Sequence, residues 1–114
     1  MLSLDHIDAI ATGLPSVTEQ DHHGMVSYRV KGKIFATVPD ERHLRVMLDA
    51  DGIRDAVANN PGTCKEFYWG KRLACAVLDL DGAEVDLVRA LLTDAWLGKA
   101  PASLVRSCGL AEEI

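Results

Sequence analysis

Aromatic residues are scarce in this sequence: two each of Trp, Tyr and Phe in 114 positions. Any core or site built on rings must draw on a few identifiable places. Long apolar runs are missing as well. The best of them, such as Leu73 to Leu78, fall far short of the ~20 residues a membrane-spanning helix needs. Cysteine is sparse and scattered. Cys64, Cys75 and Cys108 form no close-spaced motif, and an odd, dispersed set suits a reducing cytoplasm rather than a disulfide framework. Residues 1–24 contain no Lys or Arg, so Met1 to Ile10, with Asp5 and Asp8, lacks the basic start of a signal peptide. There is no glycine-rich phosphate loop, nucleophile elbow or metalloprotease helix. Together these absences leave a single cytoplasmic domain over residues 1–114, a binding module rather than an enzyme.

What is present is unevenly charged. The net charge is −5, which argues against nucleic acid as a partner when the chain is taken as a whole. The segments differ, however. Residues 25–72 hold nine bases and six acids, whereas residues 1–24 hold four acids and no Lys or Arg, and residues 73–114 hold seven acids and three bases. The middle of the chain can therefore present a basic surface on an acidic protein.

Hydrophobic spacing places the elements. Ser3 is positioned to cap a helix with Leu4, Ile7, Ile10, Ala11 and Leu14 on one face, ended by Gly13 and Pro15. The polar stretch 16–24 has room for a short edge strand near Val17. Three alternating segments follow: Val26, Tyr28 and Val30; then Ile34, Ala36 and Val38; then Leu44, Val46 and Leu48, separated by Gly32 and by Pro39 to Arg42. These read as an antiparallel meander with one buried face. Asp51 and Gly52 open a short helix that Asn59-Asn60-Pro61-Gly62 stops. Cys64 to Trp69 reads as a strand, with Trp69 in the core. The run Leu73 to Leu80 reads as a central strand covered on both faces. Asp81 is the expected cap of a helix over 83–97, with Val85, Val88, Leu91, Leu92, Ala95 and Trp96 on its apolar face and Gly98 at its end. Pro101 starts a last short helix. The expected class is α+β, in the order α-βββ-α-ββ-α-α, with an antiparallel sheet of about five strands and helices packed on one face.

Four stretches then stand out: Val30-Lys31-Gly32-Lys33-Ile34-Phe35-Ala36, Tyr68-Trp69-Gly70-Lys71, Leu91-Leu92-Thr93-Asp94-Ala95-Trp96, and Ala100-Pro101. In order and spacing the sequence resembles the MmcQ/YjbR family of small bacterial proteins from about residue 3 to residue 107. Members of that family often carry a large residue in the strand after the Gly-Lys pair, where Ala74-Cys75-Ala76 stands in this sequence. The resemblance implies an α+β fold like that of frataxin-type proteins and type III secretion chaperones. It also implies the label DNA-binding protein, which rests on likeness of fold.

The candidate nucleic-acid-binding residues are Arg29, Lys31, Lys33, Arg45, Lys71 and Arg72. Under the alternation above, Ser27, Arg29, Lys31, Lys33, Thr37 and Arg45 share the open sheet face with Phe35 and Met47, and cations and hydroxyls around an aromatic suit a strand of phosphates and bases. The competing reading is a solvated face whose lysines guard against edge pairing. Lys71-Arg72 after Gly70 can grip a phosphate, or cap a hairpin in solvent. His22 and His23, with Glu19 and Asp21, are poorly spaced to share one ion on a strand, and no cofactor or metal is expected. A chaperone-like or adaptor role, holding a protein partner on the sheet or a helix face, is the alternative function.

Overall fold

The structure, a computed structural model, describes residues 2–107; Cys108 lies outside them. Ser3 caps the first helix, α1 (Leu4–Thr12), its Oγ accepting from the His6 amide at 3.2 Å. The polar stretch after Pro15 forms a full edge strand, β1 (Val17–His22). Next come β2 (Met25–Val30), β3 (Lys33–Val38) and β4 (His43–Val46). His23-Gly24 and Lys31-Gly32 make the first two hairpin turns. Each pair has positive φ at both positions (53° and 84°, 51° and 83°), the geometry that matches strand twist in two-residue hairpins. Asp49 caps α2 (Ala50–Asn59), its Oδ1 accepting from the Gly52 amide at 2.7 Å, so that the helix starts at Ala50, one residue before the expected Asp51.

Strands β5 (Cys64–Trp69) and β6 (Arg72–Asp79) precede α3 (Val85–Lys99) and α4 (Ala102–Ser107). Asp81 does not cap α3. Glu84 occupies that position without a side-chain bond, while Asp81 lies 3.9 Å from Arg42. Nor does Gly98 end α3. The helix runs on until Pro101, which has no amide hydrogen to extend the ladder.

The sheet is antiparallel in the order β1-β2-β3-β4-β6-β5: six strands, against the expected five, because β1 pairs with β2 along its whole length. One face carries the core, in which Tyr28, Val30, Phe35, Leu44, Val46, Ala76, Leu78 and Leu80 meet Ile7, Ile53, Val88, Leu92 and Trp96 from the helices. No helix among the described residues is long and apolar enough to cross a membrane.

Two bulges change which residues face which side. Tyr28 pairs with Ala36 but Arg29 pairs with Ile34, so Phe35 is an extra residue in β3. Phe35 therefore enters the core, fully buried, and Ile34 turns to the open face, the reverse of simple alternation. On β6, Ala74 is the extra residue between the Phe67–Cys75 and Tyr68–Leu73 pairs. The expected burial of Trp69 also fails. Trp69 is 69% exposed, because it ends an edge strand at a hairpin tip opposite Arg72. Val26, near the start of β2, and Val85, the first residue of α3, also remain exposed, at 37% and 39%. Strand β6 lies second from the edge; Cys75 is buried but Val77 is half-buried, so its open face is only partly covered.

Trp96 anchors the helical layer. It is fully buried, and its indole Nε1 donates to the Pro15 carbonyl at 3.0 Å, tying α3 to the loop before β1. Trp96→Ala should cost about 3–5 kcal/mol in urea unfolding; a loss below about 1 kcal/mol would show that the indole is not a core element.

At the opposite end of the sheet Arg42 forms a two-pronged pair with Asp79, both contacts at 2.9 Å. Those hydrogen bonds from Arg42 hold the Asp79 carboxyl down to about 2, from an ordinary 3.8. A depressed carboxyl stabilises the fold above its unfolded value and loses that contribution as pH falls. The urea midpoint should therefore decline between pH 4 and pH 2, and decline less in Arg42→Ala. Equal declines would show that the pair contributes nothing to acid stability.

Candidate nucleic-acid interface on the open sheet face

The open face is not flat. Strands twist, so diagonally opposite corners of a sheet curl toward the same side. The β1–β2 turn lies at one corner and the β5–β6 turn at the corner diagonal to it. Both border an open groove of about 710 Å³ on the face that carries no helix among the described residues. His22, His23 and Met25 line one side; Phe67, Trp69, Arg72 and Leu73 line the other. Ile34, Thr37, Arg45, Met47 and Cys75 lie between them, with Asp49 and Lys99 at the rim formed by α2 and α3.

The charges of this groove are unbalanced. Arg45, Arg72 and Lys99 form no ion pair among the described residues. The one carboxylate in the lining, Asp49, is committed to the α2 cap. Arg45 lies instead over the Phe67 ring, 4.6 Å from its centroid. A guanidinium held this way keeps its in-plane donors available at the ring edge. Trp69 continues the aromatic surface 6.4 Å from Phe67. Burial pushes the Cys75 thiol up, with Arg45 opposing, so Cys75 is a neutral wall of the groove.

One cross-strand row passes through all six strands: Gln20, Ser27, Thr37, Arg45, Val77 and Lys65. Ser27 Oγ donates to the Gln20 carbonyl at 2.9 Å and accepts from Arg29 Nε at 3.3 Å. Thr37 is only 4% exposed, and its Oγ1 has no hydrogen-bond partner among the described residues.

The six residues expected from sequence are divided by this geometry. Arg45 and Arg72 line the groove. Arg29 is half-buried on the open face against Ser27. Lys31 sits in the β2–β3 turn with Lys33 just after it, and Lys71 sits in the β5–β6 turn. All three are exposed, at the same end of the sheet and roughly three strand spacings, or ~14 Å, apart. Outside the sequence-derived set are Lys99, which arrives through the α3 packing, and Phe67. The outward parity of Lys65, Phe67 and Trp69 along β5 was the signal for Phe67. His22 and His23 both reach the groove because the turn breaks strand alternation; their rings meet edge-on with centroids 4.4 Å apart. Asp8 and Glu19 lie elsewhere, with Tyr28 Oη donating to Asp8 at 3.2 Å and a hydrogen bond to Asp8 raising the Glu19 carboxyl. Among the described residues no three metal-ligating side chains converge.

A family model described as YjbR matches residues 12–97, from the end of α1 to the end of the Trp96 region. The chain belongs to the YjbR family. The YjbR fold is also seen in a crystal structure of the Deinococcus radiodurans protein DR2400, assigned to domain family DUF419. The two superpose with a TM-score of 0.76 over 96% of this chain and 89% of that one, at 17% identity. At that identity the likeness concerns fold alone. No curated protein matches this YjbR sequence.

A buried hydroxyl without a partner is a cost to the fold. Thr37→Val keeps the shape and removes the cost, so it should stabilise the protein by about 1 kcal/mol in thermal or urea unfolding. Destabilisation by a similar amount would mean that the hydroxyl is satisfied in solution.

Proposed function

We propose that this chain is a non-catalytic binding module that takes single-stranded nucleic acid in the open-face groove. The observation that carries the reading is the unpaired Arg45 guanidinium stacked on Phe67, beside the exposed Trp69, in a groove with three cations and a single, already committed carboxylate. Bases stack on aromatic and guanidinium planes without regard to sequence, and cations follow the backbone. An unpaired strand can lay its bases into a concave, aromatic-lined face, whereas a duplex keeps them stacked inside. The net charge of −5 works against binding by the surface as a whole, so the reading rests on the local cations of the groove. Family membership in YjbR, with its DNA-binding label, is in keeping with this reading.

Trp69 is the natural reporter, since Trp96 is buried. Titration with a short single-stranded DNA should quench or shift indole fluorescence, with weaker response to the matching duplex. The double variant Arg45→Ala, Arg72→Ala removes two phosphate partners. It should lower affinity by about tenfold at low salt and reduce the slope of log K on log salt by roughly 1.4. Lys31→Ala, Lys33→Ala, away from the groove, should change affinity by less than about threefold. The reverse order of effects would move the interface to the β2–β3 turn and overturn this assignment. Absence of any nucleic-acid response, with saturable binding of an acidic peptide instead, would establish the chaperone or adaptor reading in its place.

A further inference from the structure

We propose that Thr37 makes the groove selective among bases, by offering its hydroxyl to the edge of one inserted ring; this rests on the nucleic-acid reading of the same groove. The first ground is position. Thr37 lies in the middle of the row that crosses the open face, directly opposite Ser27 on one side and Arg45 on the other. The second is the unmet bond. Ser27 spends its hydroxyl within the sheet, while Thr37 Oγ1 has no partner among the described residues at 4% exposure. A valine would fill a strand position of this kind without the cost, and a group bound in the groove would supply the partner that the described residues do not.

The surroundings define that group. A cavity of about 710 Å³ is within the range of small-ligand sites, ample for one base with its sugar and phosphate. Its lining includes Met25 and Ile34 on β2 and β3, and Met47 with the Arg45–Phe67 stack from β4 onward. Unbranched thioethers repack around a flat ring at small cost. A ring entering beside the Arg45 guanidinium, which lies directly across from Thr37, brings its polar edge toward the hydroxyl, while Arg72 remains with the phosphate. A hydroxyl both donates and accepts, so it pairs with a ring carbonyl or an exocyclic amine. A base whose inserted edge has neither group at that point leaves the hydroxyl buried and unmet, and is rejected for that reason. Stacking supplies affinity for every base; Thr37 supplies the difference between them.

The test compares short oligo-dT, oligo-dC and oligo-dA on wild type, Thr37→Val and Thr37→Ser, read by Trp69 fluorescence, with thermal melting to establish that each variant is folded. Wild type should bind its best oligomer about tenfold more tightly than its worst, the factor expected of one hydrogen bond. Thr37→Val should bring the three within about twofold, with the loss confined to the preferred oligomer, and Thr37→Ser should restore most of the preference. Uniform binding by wild type, or selectivity undiminished in a folded Thr37→Val, overturns the role of Thr37 and leaves the stacking groove standing. Absence of binding to all three oligomers overturns both.

Discussion

Every helix of this protein that packs on the sheet does so on one face, and the rest of the molecule follows from that commitment. The core is a single cluster in which Ile7, Ile53, Val88 and Trp96 press on Tyr28, Val30, Phe35 and Leu44. Once those helices are on one side, the opposite face of the six strands is left without a helix among the described residues. Twist then does what no single residue does. It raises the β1–β2 and β5–β6 turns together on the bare side and converts a flat sheet into a groove. Trp96 keeps the arrangement in register, because its bond to the Pro15 carbonyl fixes α3 against the segment from which β1 departs.

The groove differs in character from the remaining surface. Cations without an acidic partner are not what sets it apart, since among the described residues Arg42 is the one Lys or Arg that pairs with a carboxylate; what is particular to the groove is the Arg45 guanidinium over Phe67, next to Trp69. Within the groove Arg45, Arg72 and Lys99 have no acidic partner among the described residues, although the protein as a whole is acidic. Setting three cations beside the Phe67 and Trp69 rings in one concavity favours an anionic, flat-ringed partner. The YjbR fold by itself does not select that partner, since one fold serves many functions.

Local rules were sufficient for much of the architecture. Ser3, Gly32 and the Asn59 to Gly62 stop act through their immediate neighbours, and each is where spacing puts it. Trp96 is buried because its helical period is unambiguous. Strand alternation located Arg45 and Thr37 correctly on the open face. It failed at Phe35 and Ile34, because a bulge adds one residue and inverts parity beyond it, and nothing in the sequence marks that insertion. Trp69 was misread for a different reason. Its burial depends on whether β5 is an inner or an edge strand, which is a property of sheet order and not of the strand. Lys99 and the histidine pair belong to the groove only through tertiary curvature, so no motif carries them.

The central claim is that the open face, and not the helical face, receives the ligand. Two tryptophans make this directly measurable, since each contributes one indole N–H signal in a two-dimensional NMR spectrum. Trp69 lines the groove, whereas Trp96 is buried and bonded to Pro15 on the other side of the sheet. On titration with single-stranded DNA the Trp69 indole should shift, together with the Arg45 Nε signal, while the Trp96 indole stays in place. Movement of the Trp96 signal with Trp69 unchanged, or movement of neither, would contradict the account.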